Sequence, residues 1–85
     1  MRLVYKYPIV PPGIPRHVEA PADARVVLVA MQDRRPTVWL EVDTEAPAVL
    51  RRFAVFGTGE PLPPGVAHVG SCVDAPFIWH VYELP

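Results

Sequence analysis

Prolines decide most of what this chain can become. Twelve of them are scattered through 85 residues, and an interior helical proline costs roughly 3 kcal/mol because it lacks an N–H and its ring clashes with the preceding turn. A helical protein could not absorb so many. Yet the chain is 51% hydrophobic, far too apolar for a disordered segment. Short strands separated by proline-rich turns satisfy both constraints.

The segments between the prolines alternate as strands do. Arg2 to Pro8 places Leu3, Tyr5 and Tyr7 on one face and Val4 and Lys6 on the other. The stretch from Ile9 to Ala24, with prolines at 11, 12, 15 and 21, leaves room only for a short extended piece around His17 to Glu19. Arg25 to Gln32 is a nearly continuous valine-rich run, read as a central strand covered on both faces. Thr37 to Asp43 alternates again, with Val38, Leu40 and Val42 opposed to Trp39 and Glu41, so the two runs form a hairpin.

Pro47 limits Thr44 to Arg52 to one helical turn at most before a strand reaches Gly57. Val66 to Asp74 and Pro76 to Leu84 supply the last two strands, joined at Asp74-Ala75-Pro76. The expectation is an all-β fold: one small domain over residues 1–85, an antiparallel barrel or sandwich of about six short strands. Val27, Val29, Val38, Leu40, Phe53, Val55, Val69 and Trp79 are expected in its core.

A chain this short buries only about 60 to 65 per cent of its unfolded surface and gains from a staple. Cys72 is the sole cysteine, so no disulfide can form within the chain and a reducing compartment is expected. Sheet edges and a thin core point instead to a homodimer or higher homo-oligomer, with Val4, Trp39, Ile78 and Tyr82 as contact candidates. Eight Lys and Arg balance nine Asp and Glu, which excludes the basic footprint of a nucleic-acid or anionic-membrane partner. The first residues hold no apolar run long enough for a signal peptide or membrane span.

Catalytic signals are sparse. Ser71 lacks a G-x-S-x-G context, Cys72 has no neighbouring base in the sequence, and the carboxylates fall mostly at strand ends. His68, Cys72 and His80 share even numbering on neighbouring strands and could converge, but no paired-cysteine knuckle accompanies them, so neither metal nor cofactor is assigned. The loop Gly57-Thr58-Gly59-Glu60-Pro61 stands out, since two glycines around a hydroxyl can present backbone N–H donors to a ligand. As a plain turn it would instead use Gly57 and Gly59 at positive φ. It lacks the lysine and following helix of a P-loop. The candidate binding residues are Gly57, Thr58, Gly59 and Glu60, with Trp39 and Tyr82 as aromatic partners.

The chain also resembles a family of small uncharacterised bacteriophage proteins. The residues that carry the resemblance are Lys6-Tyr7, Met31-Gln32, Pro36 to Asp43, Arg51 to Pro61, His68 to Ser71 and Trp79 to Glu83. Glu60 departs from the histidine expected there, which removes any imidazole role from this loop. The resemblance implies a phage or prophage setting. With the sparse catalytic residues, the single-domain size and the glycine loop, the expected function is a non-enzymatic accessory protein in the host cytoplasm that binds a host protein or small signalling ligand. The alternative is a structural accessory of the virion.

Overall fold

The computed structural model describes residues 1–85, and it is all-β. Seven strands follow one another: β1 (Arg2–Pro8), β2 (Arg16–Pro21), β3 (Arg25–Gln32), β4 (Arg35–Asp43), β5 (Ala48–Gly57), β6 (Ala67–Asp74) and β7 (Phe77–Leu84). Every pairing is antiparallel. One sheet has the order β1-β4-β3 and the other β2-β5-β7-β6, so the architecture is a sandwich and not a closed barrel.

The inner faces follow from the alternation. Val38, Leu40 and Val42 of β4 meet Phe53 and Val55 of β5 and Val81 of β7 in one buried cluster, which Ile9, Val18, Ala20 and Ala24 complete. Ile9 is wholly buried although it lies in the proline-rich crossing. Its N–H donates to the Pro36 carbonyl at 2.8 Å, so that stretch has a backbone partner where it lacks a ladder.

Several expectations need correction. The valine-rich run β3 is an edge of its sheet and β4 is central; β3 is apolar on both faces, yet Val27 and Leu28 remain about half exposed. A bulge between Val26 and Leu28 explains the loss of Val27 from the core. The extra residue is unpaired, so inward positions shift from Val26 before it to Val29 after it. Val29, Val69 and Trp79 pack on the core only partly buried, whereas Val38, Leu40, Phe53 and Val55 are fully buried as expected.

The crossing expected to hold little regular structure contains the six-residue β2, paired with β5 from Arg16↔Phe53 to Pro21↔Ala48. Its prolines lie at or beyond its ends, where a missing N–H is tolerated. No helical turn forms near Pro47. Asp43 Oδ1 accepts the Glu45 N–H at 3.0 Å, the Asx-type bond that lets aspartate turn the chain, and β5 begins at Ala48.

The sandwich is joined along one side, where β3 and β6 lie against each other. Met31 Sδ accepts the Cys72 thiol there at 3.6 Å. Near the opposite side, Arg51 ties the second sheet together. Its Nε and Nη2 both donate to Glu83 at 2.8 Å, and Nη1 donates to the Pro21 and Ala24 carbonyls.

Candidate functional site

β5 delivers Phe53 and Val55 inward and ends at Gly57, where the loop of interest begins. The Glu60 N–H donates to the Gly57 carbonyl at 3.2 Å, closing a four-residue turn. Gly59, with φ of 91°, occupies the position of that turn which requires a positive value, and Thr58 stays in ordinary backbone space, the pattern of a type II turn. Gly57 therefore does not take the positive φ that a plain turn was expected to need.

Its role is steric. A Cβ on Gly57 would stand 3.0 Å from Glu60 Oε1 and 3.5 Å from the Trp79 ring. The missing side chain lets the carboxylate and the indole approach the same patch of backbone. Glu60 uses that approach, accepting the Gly57 N–H through Oε1 at 2.8 Å. One of the N–H donors that the glycine loop could have offered to an anion is thus occupied by the protein's own carboxylate.

On β7, Trp79 and Val81 turn inward and His80 and Tyr82 turn out. The outward pair meets Thr58 and the outward residues of β6. Thr58 Oγ1 is hydrogen-bonded to His80 Nε2 at 2.9 Å, His80 Nδ1 to Ser71 Oγ at 2.8 Å, and Ser71 Oγ to His68 Nε2 at 3.0 Å. The row of four side chains can be satisfied in either direction, because each hydroxyl donates once and accepts once while each neutral imidazole does the same. Tyr82 packs edge-on against His68 and Phe56, with ring centroids 5.1 and 5.8 Å apart.

A second bulge produces this row. Between His68 and Gly70 the β6 register slips by one, which turns Ser71 to the side of His68 and His80 and sends Cys72 into the core. The three residues that even numbering had aligned for zinc are therefore split between two faces. No group of three or more His, Cys, Asp or Glu side chains is arranged to hold a metal ion. Burial, and then the Asp74 charge, push the Cys72 thiol above its ordinary range, so it stays protonated and unreactive at neutral pH.

Two clefts flank the loop. One, of about 210 Å3, is formed by Gly57, Thr58, Gly59 and Glu60 together with Phe56, Leu62, His80 and Tyr82. The other, of about 500 Å3, lies between the loop and the start of β7, against Pro76, Phe77, Ile78 and Trp79. Five of the six sequence-derived site residues meet in the first cleft. Trp39 does not. It faces outward from the β1-β4-β3 sheet, beside Lys6 and Leu28.

Ser71 and His80 were not among those site residues. The outward position of His80 could be read from the inward Trp79 and Val81, but its bond to Thr58 depends on β5 pairing with β7. The contact candidates divide too. Val4 and Trp39 lie on the outer face of one sheet and Ile78 and Tyr82 on the outer face of the other, so they are two surfaces and not one.

The whole chain, residues 1–85, matches the domain of unknown function DUF7352. The chain belongs to this family. No curated protein and no solved structure matches it. For this DUF7352 chain, the case for binding therefore rests on the geometry of the loop and its two clefts.

Proposed function

We propose that this DUF7352 chain is a non-enzymatic, phage-encoded accessory protein that acts inside the bacterial host by binding a host protein or small ligand. The observation that supports binding is the position of the Gly57 to Glu60 turn. It stands at the end of a rigid strand, between two open clefts, and its side chains are already held by His80 and by the Gly57 N–H. A site held in this way before the partner arrives loses little side-chain freedom on binding.

Binding is favoured over catalysis by what orients His80. Thr58 and Ser71 are both engaged by His80, and no carboxylate is hydrogen-bonded to that imidazole to orient it as a base. The phage setting rests on the resemblance running from Tyr5 to Glu83.

The test uses Thr58→Ala and Glu60→Ala, exposed turn positions where a change of less than about 0.5 kcal/mol in stability is expected. Both variants are expected to remain folded and to lose the effect that the wild-type protein exerts on infected cells. Full retention of that effect by two folded variants rejects the loop as the binding element. Recovery of the protein from purified virions by mass spectrometry would favour a structural accessory role instead.

A further inference from the structure

The larger of the two clefts has a chemistry of its own, and the inference drawn from it rests on the binding reading above. Gly57 is the cross-strand partner of Trp79. Because both Glu60 Oε1 and the Trp79 ring lie within 3.5 Å of the point where a Gly57 Cβ would sit, a carboxylate and an indole stand side by side on the cleft wall. Phe77 extends that wall, stacked on Trp79 with centroids 5.6 Å apart and planes 27° from parallel. Phe77 is 57% exposed, so an aromatic surface is presented to solvent with nothing in the fold to cover it.

Glu60 is the only ionisable residue among the seven that line this cleft. It forms no ion pair within the chain, and Oε1 alone is engaged, by the Gly57 N–H. An anion entering here would be repelled by Glu60. A purely apolar group would strip water from an unpaired carboxylate. A cation meets a counter-charge and an aromatic face together, within the roughly 6 Å over which ring and cation attract. Of the protein cations that stay charged at neutral pH, guanidinium is the planar one, able to stack on the outer face of the Phe77–Trp79 pair while its fork addresses a carboxylate.

We propose that the cleft between Glu60 and the Phe77–Trp79 pair takes the side chain of an arginine on a partner protein. The apolar residues beside it at the β6–β7 end, Val73 at 68% exposure and Ile78 at 45%, would receive the residues flanking that arginine. The site discriminates by charge and planarity together, so a neutral isostere of arginine is rejected.

Nuclear magnetic resonance on the two tryptophan indole N–H signals tests this directly, because Trp39 on the other sheet serves as the internal control. Titration with N-acetyl-arginine amide is expected to move the Trp79 signal and leave Trp39 in place. The Kd should be on the order of 10 mM, as fits one cation–π contact and one exposed ion pair. The citrulline counterpart, planar but uncharged, is expected to bind about tenfold more weakly, and Glu60→Gln to weaken arginine by a similar factor. Phe77→Ala, at an exposed position, should also weaken it severalfold without unfolding the chain.

A Trp79 signal that does not move, equal binding of citrulline, or unchanged affinity in Glu60→Gln would each overturn the assignment. A dimer that dissociates on Glu60→Gln would overturn it too, placing a second copy of this chain in the cleft. The two readings fail separately. If Thr58→Ala and Glu60→Ala abolish the effect on infected cells while arginine does not bind, the loop binds by other chemistry and only the cation assignment falls. If arginine binds and that effect is untouched, the cation site stands and the proposed role falls.

Discussion

Gly70 on β6 faces Val29 on β3 so closely that a Cβ on the glycine would stand 2.4 Å from the valine Cγ2 and 2.8 Å from its Cβ. This contact lies on the side where the two sheets meet, and it is the closest approach that any glycine of the chain makes possible. The glycine is there for room and not for an unusual backbone angle, since its φ is not in the positive region. It follows directly on the bulge that begins at His68.

Gly70→Ala is expected to destabilise the fold by about 1–3 kcal/mol, the usual range for a methyl group forced into a packed site. Val29 is β-branched and cannot swing aside by changing rotamer alone. Val29→Ala should therefore relieve part of the cost. Urea unfolding of both single variants and the double variant measures the coupling, expected to be at least about 0.5 kcal/mol in the direction of rescue. Strict additivity would show that the sheets can part at this side without penalty.

The β3–β4 hairpin turns through Asp33 and Arg34, both at positive φ, 50° and 63°. Two positive values make a type I′ turn, which matches the twist of the flanking strands and favours glycine in its second position. Arginine there holds a left-handed backbone that its Cβ disfavours by about 1 kcal/mol. Arg34→Gly should accordingly raise stability by about 0.5–1 kcal/mol, read as a higher urea midpoint with an unchanged slope. A lower midpoint would mean that the Arg34 side chain contributes more than its backbone costs.

Arg51→Met is expected to cost about 3 kcal/mol, the low end for breaking a buried ion pair. The Arg51 side chain is 11% exposed and Glu83 26%, so water softens the loss without removing it. The substitution strands the Glu83 carboxylate and two backbone carbonyls together. Glu83→Gln, which can still accept a hydrogen bond from the guanidinium, should cost less. Equal costs in the two variants would place the stabilisation in charge alone.

Stability should fall on the alkaline side in two steps. Burial raises the Tyr7 phenol, aided by Tyr5, and raises the Cys72 thiol, aided by Asp74. In each case the unfolded chain releases its proton at lower pH than the folded one. The contribution is thus whole below the unfolded pKa and is lost as pH rises through the folded one. The window opens near pH 8.5 for cysteine and near pH 10 for tyrosine. Cys72→Ala is expected to lower stability at neutral pH and to flatten the first step. A first step that survives in Cys72→Ala would assign it to another group.

The architecture was legible because its signals are local. Prolines exclude helices wherever they fall, and a period of two between them marks a strand whose one side is apolar. From those rules came the all-β class, the hairpin after Gln32, the burial of Val38, Leu40, Phe53 and Val55, and the loop that begins at Gly57. Residue type picks out Gly57 to Glu60 and Tyr82 together with Trp39, and only the strand pairing separates Trp39 from the rest.

What the chain could not announce were its two bulges and its strand order, and both depend on partners distant in sequence. A single extra residue at Val27 moves an apolar side chain out to solvent. Another at Val69 puts Ser71 with the histidines and Cys72 in the core, reversing what strict alternation implies. β3 reads as central because it is apolar on both faces, but it is an edge, paired to β4 alone and lying against β6 of the other sheet. The row from Thr58 to His68 joins residues of a loop, β6 and β7, and no spacing along the chain encodes it. Amino-acid type specified which segments are strands and which residues resist water. Only the packing of one sheet on the other, with its demand for close contact at Val29 and Gly70, decided which face each side chain finally occupies.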